Sequence, residues 1–231
     1  MPRHRRLADL LDAGERERMA CFAGEEDQAR YLTSHALARI VLAVHAGIPA
    51  ADLRFTNVCW HCGGPHGKPR LQQEGGSLDF SLAHSGQRVV LAIARSATVG
   101  VDVEHARRPI RDVDRLARAV LSEAEQPVIE ELPQAERHAA LLRYWTRKEA
   151  LLKATGHGLA VRPSSLTVTG PADAPALVAW TAERPLDDLP VALHDLHPGV
   201  DHVGCLAMLG PRLEVMERDA TGLLADAVAR A

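Results

Sequence analysis

The chain has 231 residues, long enough for one domain or two compact halves, and its 46% hydrophobic and 25% charged residues are an ordinary globular composition. A net charge of −3 argues against a protein held to nucleic acid by a basic field, and no apolar run approaches the ~20 residues of a membrane span. Aromatic residues make up only 3%, so the core must be aliphatic.

The N-terminus MPRHRRLADLLDAGERER is basic without an apolar signal core, and a cytoplasmic protein is the expectation. Residues 5–23 read as a helix with Leu7, Leu10, Leu11 and Met19 on one side. Residues 25–46 form a stronger one, with Leu32, Ala36, Leu37, Ile40, Val41 and Val44 at helical spacing before Gly47. A strand is expected over 51–56 and a loop over 63–76. Three short β runs follow at 78–85, 89–94 and 98–104, spaced as in a meander. Helix is expected over 111–131 and again over 133–156, ending at Gly156. Strands come next at 165–170, 176–183, 191–196 and 202–209, and the tail from 213 reads as a short strand and a helix. Helices then strands, twice over, predict an α+β fold of two similar halves, residues 1–105 and 106–231.

The four cysteines, Cys21, Cys59, Cys62 and Cys205, are not spaced as a disulfide framework. Cys59 and Cys62 stand in CWHCGGPH with His61 and His66 alongside. Three zinc ligands could come from this run, but no second pair completes a site. A glycine-rich loop with free thiols is the reading favoured here.

Lysine usage points to chemistry. Only Lys68, Lys148 and Lys153 among 27 basic residues are lysine. A compact ammonium approaches a phosphate oxygen more closely than a guanidinium fork does. In VGVDVE (99–104), Asp102 and Glu104 project from one face of a strand and can hold one hard cation. On the following long helix, Trp145, Glu149 and Lys153 share a stripe at successive i+4 steps. Glu149 could supply a third carboxylate, Lys153 would reach a metal-held phosphate, and Lys148 could cover the other side of the anion. Phosphate contact is also plausible for His84, near a turn. A solvated strand face and an exposed Glu149–Lys153 pair are the plain alternatives.

HGKP, F-S-x-x-H-S, G-x-D-x-E and W-x-x-K-E-A-x-x-K-x-x-G occur in that order, and together they resemble the 4′-phosphopantetheinyl transferases, specifically the larger surfactin-synthetase-activating type. The match runs over about residues 10 to 210. The resemblance implies a pseudo-twofold α+β fold with coenzyme A and Mg²⁺ in the cleft between the halves. It implies Asp102, Glu104 and Glu149 as metal ligands and Glu149 as general base. Lys153 would contact the pyrophosphate, Lys68 and His84 the nucleotide phosphates. Arg16, Arg18 and Arg30 stand nearest the family's 3′-phosphate grip. The expected reaction moves phosphopantetheine from coenzyme A to a carrier-protein serine, releasing 3′,5′-ADP, by a monomeric enzyme.

The chain departs from the family in three places. It starts almost at the first helix, where relatives open with a strand. Ala83 replaces a frequent serine before the histidine. The CWHC insertion is absent from some relatives. Carrier proteins are generally acidic, so the segment 107–121 is expected to dock them through Arg111, Arg115 and Arg118 with Leu116 and Val120. Two other classes fit parts of the pattern: a carboxylate-metal hydrolase, and a non-catalytic module around a zinc knuckle.

Overall fold

A computed structural model describes residues 6–59, 61–73, 78–107, 109–110, 112–183, 186 and 188–230, the last four of these by backbone alone. After a helical stretch at residues 6–8, helix α1 (Ala13–Ala20) begins where Asp12 and Glu15 form a reciprocal capping box, so it is a new start within the expected 5–23 span. Helix α2 (Glu25–Ala46) opens on three acids, favourable at the positive end of the helix dipole, and stops at Gly47, which takes a left-handed φ of 71°. Two short strands, β1 (Phe55–Thr56) and β2 (Arg70–Leu71), pair across the glycine-rich loop.

Strands β3 (Leu78–Ser85) and β4 (Arg88–Arg95) make an antiparallel hairpin. The expected meander ends there. Strand β5 (Thr98–His105) pairs instead with β9 (His202–Leu209), which also holds β8 (Val191–Leu196), in the order β5-β9-β8. Between β5 and β9 the expected 111–131 helix divides into α3 (Val113–Val120) and α4 (Gln126–Glu131), broken by the extended Leu121. Helix α5 (Gln134–Thr155) and the pair β6 (Leu166–Val168) and β7 (Leu177–Trp180) complete the second set of elements. The tail carries the helix α6 (Thr221–Arg230) but, among the described residues, no strand. Leu213 and Val215 still pack beside β5 without joining a ladder.

Strand β3 reaches β5 through side chains. Asp79 Oδ2, Ser81 Oγ and Ser85 Oγ accept from the backbone N–H groups of Val99, Val101 and His105 at 2.7, 3.0 and 3.1 Å, each across a separation of 20 residues. A constant offset means the strands run parallel. The oxygens satisfy donors of β5 that its antiparallel partner leaves unmade. Ala83 holds the position opposite Val103 in this series and has no oxygen to offer.

Helix α5 lies on β5 and β9, burying Leu141, Tyr144, Leu151 and Leu152 with Cys205, Ala207 and Leu209. The other face of β5 buries Val99, Val101 and Val103 with Leu206 and Met208. The helix comes so close that a Cβ at Gly100 would stand 2.0 Å from the Ala150 carbonyl oxygen. Only glycine permits that approach.

The two long helices are anchored alike. Arg39 on α2 is fully buried and donates to Glu15 Oε2 at 2.7 Å and to Asp12 Oδ2 at 2.8 Å. Lys148 on α5 is fully buried and donates to Glu125 Oε2 at 2.5 Å. Each glutamate also closes a turn on itself: Glu15 Oε2 accepts from Asp12 N, and Glu125 Oε2 from Ser122 N.

Candidate functional site

The site lies where α5 crosses β5. Asp102 is 6% exposed and Glu149 8%, so both carboxyls lie nearly out of water. Lys153, one turn beyond Glu149, donates to Asp102 Oδ1 at 2.6 Å and to the Val101 carbonyl at 3.1 Å. Glu104 faces the same region, with Oε2 accepting from Ser85 Oγ at 2.7 Å. Three acids from two distant segments and one lysine therefore converge, as the stripe on the helix and the alternation on the strand predict.

Electrostatics mark the cluster as unfinished. Burial raises the Asp102 pKa to about 7, with Lys153 opposing and Glu104 and Glu149 reinforcing the rise. Burial likewise raises Glu149, opposed by Lys153 and reinforced by Glu104. Asp102 Oδ2 and Glu149 Oε1 are both buried without a hydrogen-bond partner. A buried carboxylate oxygen left unpaired is costly, so this donor set suits an added cation. Oxygen ligands alone fit a hard ion such as Mg²⁺. The arrangement is open: among the described residues, the group of three or more His, Cys, Asp or Glu whose ligand atoms all lie within 4.8 Å of one another is Cys59, Cys62 and His66, not these acids.

Beside the acids stand positive groups. Arg30 donates through Nε to the Gly86 carbonyl at 3.0 Å, at the β3–β4 turn, and through Nη1 to Asp27 at 2.6 Å. His84 is held below its usual basicity, first by lost solvation and then by the charges of Arg30 and Lys153. Both charges therefore stand near the His84 ring.

Other expected contacts differ. Lys148 turns away from the acids into the core, where its ammonium meets Glu125 and, at 2.6 Å, the Val120 carbonyl. It holds the helix rather than covering an anion. Lys68 is also committed: Asp79 Oδ2 at 2.5 Å, Val99 O at 2.8 Å and Ala154 O at 3.5 Å take its three N–H groups, leaving none for a nucleotide phosphate. Arg16 donates to the Leu11 carbonyl inside its own corner. Arg18 is exposed on α1 and lines a concavity of about 560 Å³ with Gly14, Glu17, Cys21 and Phe22. A second concavity, of about 420 Å³, lies against Arg143 and residues 195–204; the acids line neither.

Three residues of consequence escaped the sequence reading. Ser85 positions Glu104, Glu125 neutralises Lys148, and Asp79 neutralises Lys68. Two left a trace: Ser85 closes the F-S-x-x-H-S motif, and SEAE at 122–125 has the shape of a capping box. On α3, Arg115 and Arg118 are exposed as expected, while Val120 is buried and Leu116 packs on the same core. The apolar pair thus belongs to the core and not to a docking face. Arg111 lies outside the described residues.

A family model described as the 4′-phosphopantetheinyl transferase superfamily matches residues 98–200. The 4′-phosphopantetheinyl transferase HetI of Nostoc sp. strain PCC 7120 is 31% identical over 181 residues, covering 76% of this chain and 73% of its own. The 4′-phosphopantetheinyl transferase Sfp of Bacillus subtilis strain 168 is 26% identical over 163 residues, covering 71% and 68%. A solved holo-(acyl-carrier-protein) synthase of Bacillus anthracis strain Ames, in complex with CoA, is 21% identical with a TM-score of 0.40 over 48% of this chain and 94% of that one, a likeness too slight to carry an argument. The matched stretch contains Asp102, Glu104, Glu149 and Lys153, and with the extent of the similarity to HetI it shows that the chain belongs to the 4′-phosphopantetheinyl transferase superfamily.

Proposed function

We propose that the protein transfers 4′-phosphopantetheine from coenzyme A to the serine hydroxyl of an acyl or peptidyl carrier protein and releases 3′,5′-ADP. One observation carries the reading: acids from β5 and α5 meet with two buried oxygens unpartnered, beside Lys153, Arg30 and His84. A nucleotide diphosphate needs that combination of a cation site and flanking positive charge.

Asp102, Glu104 and Glu149 would hold Mg²⁺. The ion would offset the charge that develops on the pyrophosphate oxygens. Glu149, raised by burial toward neutrality, takes the serine proton as the new serine oxygen–phosphorus bond forms. The bond from the β-phosphorus to the ADP oxygen breaks, and the negative charge departs on that oxygen. Lys153 has one N–H beyond its two present acceptors and steadies the leaving phosphate with it. Arg30 and His84 would hold the remaining phosphates.

The same proposal divides the chain into halves, 1–105 and 106–231, with the reaction in the cleft between them. The paired anchors Asp12–Glu15–Arg39 and Ser122–Glu125–Lys148 support it. The exposed Arg115 and Arg118 on α3 offer an acidic carrier a docking face. The enzyme would work as a cytoplasmic monomer. No helix among the described residues is long and apolar enough to cross a membrane.

Incubation with an apo-carrier, coenzyme A and Mg²⁺ tests the reading by the mass added to the carrier serine. Glu149→Gln and Asp102→Asn should each abolish transfer while the protein stays folded. Retained transfer in both variants would refute the assignment, and phosphate release from coenzyme A without a carrier would favour a hydrolase.

A further inference from the structure

The loop before β2 holds a second cluster, separate in chemistry from the acids. Cys59, Cys62 and His66 present two sulfurs and a ring nitrogen all within 4.8 Å of one another. Cys62 Sγ stands 3.0 Å from His66 Nε2. The backbone shapes this convergence. Gly63, at φ 72°, donates to the Cys59 carbonyl at 2.8 Å, and Cys59 N donates to the Gly64 carbonyl at 2.7 Å. Gly64 N in turn points at Cys62 Sγ at 3.4 Å. Asn57 closes the base, its side chain donating to Pro65 O at 2.9 Å and its carbonyl accepting from Gly67 N at 2.5 Å. The chain doubles back so tightly that a Cβ at Gly67 would stand 2.3 Å from the Val58 carbonyl oxygen. This is a turn built to bring two thiols and an imidazole together, and backbone bonds sustain it rather than a hydrophobic core.

We propose that Cys59, Cys62 and His66 bind a zinc ion, with solvent in the fourth position, and that the ion fixes the loop carrying Lys68. Two thiolates and an imidazole match zinc in softness and in tetrahedral geometry, and they do not suit the hard cation of the acid cluster. Cys62 and His66 are exposed, which leaves room for water as the fourth ligand. Binding Zn²⁺ displaces the two thiol protons to solvent. The consequence reaches the candidate active site. Two residues after His66, Lys68 ties the loop to Asp79 on β3, to Val99 at the start of β5 and to Ala154 near the end of α5. A zinc-fixed loop would hold that tie in place on the two elements that carry the acids.

Untagged protein, purified under reducing conditions without chelator, tests the site by elemental analysis and by Co²⁺ substitution. The expected result is about one zinc per chain, falling at least tenfold in Cys59→Ser and Cys62→Ser and unchanged in Glu149→Gln. Co²⁺ should give thiolate charge-transfer absorption in the near ultraviolet and tetrahedral bands in the visible. If the serine variants do not fold, the cobalt spectrum of the wild-type chain still decides. Absence of both zinc and cobalt–thiolate absorption would overturn the site, and so would a zinc content that the serine variants leave unchanged. Chelating the zinc-loaded protein should lower its Tm; an unaltered Tm would overturn the loop-fixing role.

Discussion

Lys148→Met separates the two roles open to that lysine. The substitution keeps most of the buried stem and removes the ammonium. Glu125 then loses a 2.5 Å charge partner and the Val120 carbonyl a 2.6 Å donor, both out of water. Breaking a buried ion pair from one side costs about 3–5 kcal/mol. Glu125 keeps backbone N–H bonds from Ser122 and Val168 at 2.8 Å each, so the cost should fall near the lower end. At about 2–4 °C per kcal/mol for a chain of this size, Tm should drop by roughly 6–12 °C. Adding Glu125→Gln removes the orphaned charge but offers one oxygen to two backbone N–H donors, so the double variant should recover only part of the loss. The assay is a thermal melt of the unsubstituted chain and the two variants, together with KM for coenzyme A at a temperature where all are folded. An unchanged Tm with a tenfold higher KM would show that Lys148 serves the ligand, and the reasoning would fail.

Gly100→Ala should push α5 off β5, because the new methyl meets the backbone of that helix, 2.0 Å from Ala150 O and 2.3 Å from Ala154 N. A loss at or above the upper end of the ~1–3 kcal/mol typical of overpacking, with transfer activity lost alongside, is the expected outcome of melting and turnover assays. The pH dependence follows from Asp102. Its folded pKa of about 7 lies above the ordinary 3.8, so between those values the folded chain retains a proton that the unfolded chain gives up. Stability of the metal-free protein should therefore fall as pH rises from about 4 to about 7, and Asp102→Asn should flatten that slope in Tm measured with EDTA. Reversing Arg115 and Arg118 to Glu should raise KM for the carrier and leave coenzyme A binding unchanged by calorimetry. A loss of coenzyme A affinity would remove α3 from the docking role.

Much of this protein is written in local patterns. The 3.6-residue periodicity and terminal glycines locate α2 and α5 to within a residue or two. Apolar runs mark β3, β8 and β9 at their observed bounds, because each run and its turn residues are local in the chain. The alternation in VGVDVE and the i+4 steps of α5 also select the residues that meet at the acid cluster. Periodicity states which side chains share a face and says nothing of what covers that face. Pairing of β5 with β9 joins segments about a hundred residues apart, and no local signal encodes it. Lys148 and Lys153 lie on one helix and differ only in direction: one is fully buried against Glu125 in the core, the other stays partly exposed where it meets Asp102. Their chemical identity was in the sequence; their opposite uses were decided by tertiary packing, because a charge takes its role from the partners and the water that the fold leaves within its reach.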